Sequence, residues 1–330
     1  MGCAAGPHHM ITFLVRRLFW ACGTVAGVLG FLFVLFFLYA TPADMARRAL
    51  GEKAPPEAIS TWIKNHGYDR PLVWNPTAPG QTLLVEHFRR SLTFDFGRSD
   101  ADGVPIRQRL REGVGPSLAL TLPLFAIGLI FSIALALLVA TFRDSALDRA
   151  VAVGCVLAMS LSTLLYIIAG QWLFGQVLRW FPVSGFDSDP EMLWRFVALP
   201  VVVGVLASFG EHTRFYRTLF VEETSRDYVR TARAKGCSDL RVMWGHVLPN
   251  ALIPIVTHVV VAIPFLFTGS ILLESFFGIP GLGSMTVEAI HGNDFATLRA
   301  MVFLGSLLFI AAQIATDVIY TLVDPRVRLG

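Results

Sequence analysis

Charge is scarce in this chain. Of its 330 residues only 15% are Asp, Glu, Lys or Arg, against 54% hydrophobic, and the mean hydropathy is +0.60. Soluble domains carry about 25% charged residues, so the composition argues against a water-soluble enzyme. The four cysteines (Cys3, Cys22, Cys155, Cys237) are scattered, two of them inside apolar runs, which excludes an extracellular disulfide scaffold. Lysine occurs three times, at Lys53, Lys64 and Lys235, and never after a glycine. The Gly-Lys-Ser/Thr loop that cradles a nucleotide's phosphates is therefore absent. The eight histidines make no His-Glu-x-x-His pair, and no Gly-x-Ser-x-Gly elbow occurs. A net charge of +3 spread over both signs leaves no basic footprint for nucleic acid. Abundant Phe, Val, Ile and Leu exclude disorder. A polytopic membrane protein remains.

A hydrocarbon core of roughly 30 Å needs about 20 apolar residues per spanning helix. Six candidates occur, about 11–40, 118–142, 151–181, 194–209, 252–273 and 301–323, the fourth of them short. The first is too long for a secretory signal and no small-residue cleavage site comes after it, so it reads as a retained anchor. Residues 1–9 (MGCAAGPHH) differ in character from the apolar run after them, and Met10 opens a natural protein start. They are expected to be a dispensable extension ahead of a first helix at 10–40. Orientation is set by the basic bias of short loops. Arg16-Arg17, Arg143, Arg149, the arginine-rich 211–246 stretch, Arg326 and Arg328 fall on one side, whereas 275–297 holds no Lys or Arg. Both termini are thus expected in the cytoplasm. The 41–116 segment becomes a small periplasmic domain, ahead of a core at 117–330 with five spanning helices. Within 41–116, Pro55-Pro56-Glu57 starts a helix with Ala58, Ile59, Trp62 and Ile63 on one face and Gly67 at its end. A second helix fits 81–90, with Leu84 and Phe88 one turn apart.

The strongest positive signal is the polar, helix-favouring stretch at 211–249. Tyr228, Val229, Ala232 and Lys235-Gly236 fit one helical face, with arginines on the other. Gly236 is placed to end that helix in the left-handed conformation, and Ser238-Asp239 can cap a second helix through Trp244 and Val247. Leu248-Pro249 then enters the membrane. The pattern predicts a rigid helix–turn–helix platform; the plainer alternative is a solvated charged loop.

Arg230-Thr231-Ala232, three residues, Gly236, then Leu248-Pro249 resembles the signature loop of bacterial ABC-importer permeases, Glu-Ala-Ala-x3-Gly-x9-Ile-x-Leu-Pro. The stretch from Asp227 to Gly236, including Ala234 and Lys235, looks like the dipeptide/oligopeptide form. Phe13-Leu14-Val15-Arg16-Arg17-Leu18, Gly67-Tyr68-Asp69-Arg70-Pro71, Asp95-Phe96-Gly97-Arg98-Ser99 and Phe181-Pro182-Val183-Ser184-Gly185 are similar to further motifs of that family. So are Phe277-Gly278-Ile279-Pro280-Gly281-Leu282-Gly283, Asp317-x-x-Tyr320 and Asp324-Pro325-Arg326. The resemblance covers about 10–330. It departs where Arg230 replaces the signature glutamate and His246 its isoleucine, both as in the peptide branch, where Phe94 replaces a glycine, and in the brief loop at 186–193.

The resemblance implies an all-α, six-helix permease of the type I ABC-importer fold, forming half of a pathway for di- or oligopeptides. It implies a second homologous permease, two cytoplasmic ATPase subunits that bind ATP and Mg, a periplasmic binding protein, and no cofactor or metal in this chain. Nickel chelates, glutathione or antimicrobial peptides are alternative cargoes. A stand-alone secondary transporter or channel would instead show inverted repeats or several buried charges. Candidate coupling residues are Tyr228, Arg230, Thr231, Ala232, Ala234, Lys235, Gly236, Leu248 and Pro249. Candidate pathway or gate residues are Glu274, Phe277, Pro280, Gly281, Gly283 and Asp317. Asp317 could equally cap its helix or pair with an arginine, Glu274 could be a solvated helix-end carboxylate, and His258 reads as a hydrogen-bonded interior residue.

Overall fold

The computed structural model describes residues 7–76, 78 and 80–323. Among them every regular element is helical, apart from one isolated bridge between Arg98 and Pro105. In chain order the helices are α1 (Pro7–Phe33), α2 (Pro42–Leu50), α3 (Pro56–Asn65), α4 (Leu83–Leu92), α5 (Ile106–Thr141), α6 (Ala146–Ser160) and α7 (Thr163–Gly170). Then come α8 (Pro190–Thr224), α9 (Asp227–Ala234), α10 (Asp239–Val242), α11 (Leu248–Thr268), α12 (Ile271–Phe277), α13 (Leu282–His291) and α14 (Phe295–Val323). π-Helical turns at Val34–Tyr39, Gln171–Val177 and Met243–Val247 extend α1 and α7 and join α10 to α11.

Among the described residues, five helical stretches are long and apolar enough to cross a membrane: Val15–Tyr39, Ile106–Thr141, Pro190–Thr224, Asp239–Pro264 and Phe295–Val318. A sixth span exists only if the pair Ala146–Ser160 and Thr163–Val177, bent by 92°, counts as one. The bend is a correction to the straight third span expected at 151–181. Leu161 leaves the helical backbone region, and the Ser162 hydroxyl caps the new helix by accepting from the Leu165 amide. Two further corrections concern length. The fourth span is not short: α8 runs on through Thr224, because residues 211–224 are polar yet good helix formers and nothing there stops the helix. The fifth ends at Gly269, whose φ of +77° is accessible to glycine, so Glu274 lies in the separate helix α12. The last three residues of the expected extension already belong to α1. Residues 1–6, Asp324-Pro325-Arg326 and Arg328 lie outside the described residues.

The chain divides into two compact units, one built from residues up to 115 together with those from 282 onward, the other from 116–281. The last helix thus groups with the N-terminal part rather than with the expected 117–330 core. In the first unit, α5 begins at Ile106, so the expected non-spanning segment 41–116 ends within a helix whose first turns (Arg107, Arg109, Arg111, Glu112) are polar. Thr41 caps α2, a helix absent from the sequence expectation, and Thr82 caps α4. Trp62, Met45 and Leu83 from this segment share a core with Leu29, Phe33, Phe36 and Phe37 of the first span, with Ile59, Ile63, Leu84 and Phe88 packed against it. A polar clamp fixes the segment to the start of α14. The buried Asp294 carboxylate accepts from the Ser99 hydroxyl (2.5 Å), the Asp100 amide (3.0 Å), and the Thr297 amide and hydroxyl (3.0 and 2.6 Å). In return Asp100 accepts from the Ala296 amide at 2.9 Å. Arg299 donates to the Tyr68 hydroxyl and lies 4.8 Å from the Phe37 ring centroid.

In the second unit one core joins α5, α8, α9, α10 and α11 through Leu137, Tyr216, Phe220, Val229, Val242 and Ala251. Another joins α5, α7, α8 and α12 through Leu120, Ile167, Leu199, Leu273 and Phe277.

Two expectations concern the first unit. Asp294→Ala strands four donors in a buried site and should lower its stability by about 3 kcal/mol, read as faster amide exchange at 99–101 and 296–298. Hydrogen bonds from Arg89 and Arg90 hold the Glu86 carboxyl down at about 2, against a usual 4.5. A lowered carboxylate stabilises the fold fully above pH 4.5 and less as pH falls towards 2. Acid unfolding tracked by Trp62 fluorescence should therefore flatten over that window in Glu86→Gln.

Candidate coupling loop and membrane cavity

The loop begins where α8 ends. Ser225 closes α8, and α9 starts after Arg226 without a side-chain cap. Eight residues are too few to hold a helix in water; α9 persists because Val229 and Ala232, three apart on one face, are buried against Tyr216, Phe220 and Met243. Tyr228 donates to the Glu223 carboxylate at 2.7 Å and is partly buried, both of which push its hydroxyl pKa up. The C-terminus is a Schellman turn: the Cys237 amide reaches the Ala232 carbonyl (3.2 Å) and the Gly236 amide the Arg233 carbonyl (2.9 Å). Gly236 takes φ +83°, as the sequence predicts, and its missing Cβ would meet nothing within 4 Å. Glycine is demanded there by backbone conformation alone.

Several details correct the expected platform. Ala232 faces its own chain, so it is not a surface that a partner approaches, whereas Ala234, Arg230, Thr231 and Lys235 are exposed. Lys235 leaves the apolar face because Gly236 turns the chain. Ser238 has the backbone of a cap but its hydroxyl makes no capping bond. The second helix does not stop before the membrane: α10, the turn at 243–247 and α11 form one continuous rod through Leu248-Pro249. The arginines pair within the chain, Arg226 with Glu222 and Glu223 (both 3.6 Å), Arg230 with Asp227 (3.8 Å) and Arg233 with Asp239 (3.1 Å). Behind the loop, Arg217 grips Asp148 through two bonds of 2.7 Å and ties α8 to the N-terminus of α6.

The candidate gate residues fall in both units: Glu274, Phe277, Pro280 and Gly281 in the second, Gly283 and Asp317 in the first. Glu274 is neither solvated nor at a helix end. It is fully buried, accepting from the Ser117 hydroxyl (2.8 Å) and the Ser270 amide (3.2 Å). Gly281 lies against it, since a Cβ there would collide with the Glu274 carboxyl and the Ser117 hydroxyl. Phe277 and Ile279 are core residues, Pro280 is exposed, and Gly283 is buried in α13. Asp317 pairs with Arg17 at 2.8 Å.

Sequence reasoning missed a cavity of about 470 Å³ inside the second unit. Much of its wall is apolar, from Leu124, Phe125, Leu129, Leu266 and Leu273, and Glu211, His212, Tyr216 and His258 bring a polar group to it. His258 is hydrogen-bonded as expected, its Nδ1 lying 3.1 Å from the Tyr216 hydroxyl, and its ring stands 5.7 Å from that of His212. The signal was the run Glu211-His212-x3-Tyr216, which reads as loop when α8 is ended at 209 and as one helix face when it is not.

A model described as the binding-protein-dependent transport system inner membrane component matches residues 116–329, and its N-terminal companion matches 10–81. The chain belongs to this permease family. Among similar proteins is a putative peptide transport system permease of Brucella abortus (strain 2308), 33% identical over 291 residues, 87% of this chain and 90% of the relative. Another is a glutathione transport system permease of Salmonella choleraesuis (strain SC-B67), 32% identical over 324 residues, 97% of this chain and 99% of the relative. A Brucella suis biovar 1 (strain 1330) peptide-system permease is 32% identical over 291 residues, again 87% and 90% of the two chains. This permease is accordingly an all-α, multi-pass inner-membrane protein of a binding-protein-dependent ABC importer of the peptide/nickel type.

Removing the Arg217 guanidinium leaves a buried carboxylate unpaired. Arg217→Ala should cost about 3 kcal/mol and lower the melting temperature of the purified permease, whereas Arg230→Ala should leave it within about 0.5 kcal/mol.

Proposed function

We propose that this permease forms half of the pathway through which an importer carries di- or oligopeptides, with both termini and the 225–238 loop in the cytoplasm and the 41–116 segment in the periplasm. A second homologous permease supplies the other half, a binding protein delivers the solute, and two ATPase subunits hold the ATP and Mg. The observation that carries this reading is α9 with its Schellman turn. It is a short helix, anchored by its buried edge between two membrane-crossing helices, with Arg230, Thr231, Ala234 and Lys235 outward. Such an element passes a push to α8 and to the α10–α11 rod as rigid bodies, which is what alternating access needs. ATP-driven closure of the ATPase pair would draw two such loops together. A second reading, glutathione as the cargo, is favoured by the Salmonella relative that matches 97% of the chain.

The variants separate docking from folding. Ala234→Glu adds bulk to an exposed position and should reduce co-purification of the ATPases without changing the melting temperature. Ala232→Glu buries a charge within the chain and should lower the melting temperature itself. Gly236→Val forces a β-branched residue to positive φ at a cost of about 1–2 kcal/mol and should uncouple ATP hydrolysis from uptake. Full ATPase association and coupled transport in both Ala234→Glu and Gly236→Val would refute the docking role. Uptake of labelled dipeptide against labelled glutathione by the reconstituted importer separates the two cargoes.

A further inference from the structure

The cavity in the second unit has an uneven charge inventory. Its lining contains one acid, Glu211, two imidazoles, and no lysine or arginine. Glu211 lies on α8 just past its apolar run, is exposed, lines the cavity, and forms no ion pair with any described residue. The acids that the second unit does bury, among the described residues, are answered: Asp148 by Arg217, and Glu274 by the Ser117 hydroxyl and the Ser270 amide. Glu211 thus stands as an exposed carboxylate in the wall of a hollow large enough for a small solute. Its neighbours are suited to neutral hydrogen bonding rather than charge compensation: His212, His258 and the Tyr216 hydroxyl 3.1 Å from the His258 Nδ1.

We propose that Glu211 is a specificity-determining residue, holding the ammonium group of a solute in transit while His212, His258 and Tyr216 hydrogen-bond its uncharged polar groups. On the peptide reading proposed above, on which this assignment of the solute rests, that ammonium is the free amino terminus. A carboxylate in the wall of a partly apolar hollow that holds no lysine or arginine attracts a cation and repels an anion. The apolar wall of Leu124, Phe125 and Leu266 then accommodates side chains without selecting among them, so that the backbone terminus, common to all short peptides, is the feature read.

The test uses the assembled importer with its native cysteines replaced and a single reporter, Ala207→Cys, which lines the cavity one helical turn from Glu211. A cationic methanethiosulfonate should modify this cysteine about tenfold faster than an anionic one. Glu211→Gln should bring the ratio near one, and Glu211→Asp should retain it. An unblocked dipeptide should protect the cysteine in the wild-type background and not with Glu211→Gln, whereas the N-acetylated dipeptide should protect neither. A charge ratio unaffected by Glu211→Gln overturns the ammonium site whatever the cargo. If the importer moves no peptide but the ratio still depends on Glu211, the peptide reading falls and the ammonium site stands for another cationic solute. Equal protection by blocked and unblocked dipeptide overturns the role assigned to the amino terminus.

Discussion

The burial of Val229 and Ala232 against α8 and the α10–α11 rod is the contact on which the rest of the second unit's candidate machinery depends. Without it α9 is an eight-residue polar segment with no reason to be helical in water. With it, the exposed face carrying Arg230, Thr231, Ala234 and Lys235 acquires a fixed direction, and Gly236 can turn the chain straight into α10. The ion pairs on that exposed face, all between 3.1 and 3.8 Å and open to solvent, contribute little by comparison. The Arg217–Asp148 pair matters more because Asp148 is buried and both guanidinium bonds are short.

Apolar run length made most spanning helices legible from sequence, and the positive φ of Gly236 was legible from its position after Ala234-Lys235. What the sequence concealed has a common cause. Hydropathy reports where a helix leaves the lipid, not where it stops being a helix. So α8 was cut at 209 although residues 211–224 continue it, and Glu211, His212 and Tyr216 were read as loop when they share a face over the cavity. The opposite error occurred at Leu161, where a run free of charge hides a 92° bend made by a serine cap. Burial of Glu274 was equally invisible. Its partners Ser117 and Ser270 are 157 and 4 residues away, and no periodicity links the first.

Ser99 and Asp294 hold each other at 2.5 Å across 195 positions of sequence. At a ribosomal pace of about 5–20 residues per second, the second partner emerges after the first by roughly 10–40 s. Throughout that interval Ser99 and the Asp100 amide have no Asp294 to receive them, and the segment they belong to has already left the ribosome. The order of synthesis therefore makes closure of this clamp a late event, one that reports on the completion of the whole chain. A truncated or stalled product would carry the open half of the clamp, with the Ser99 hydroxyl and the Asp100 amide lacking Asp294, a difference that a membrane quality-control protease could read without ever sampling transport.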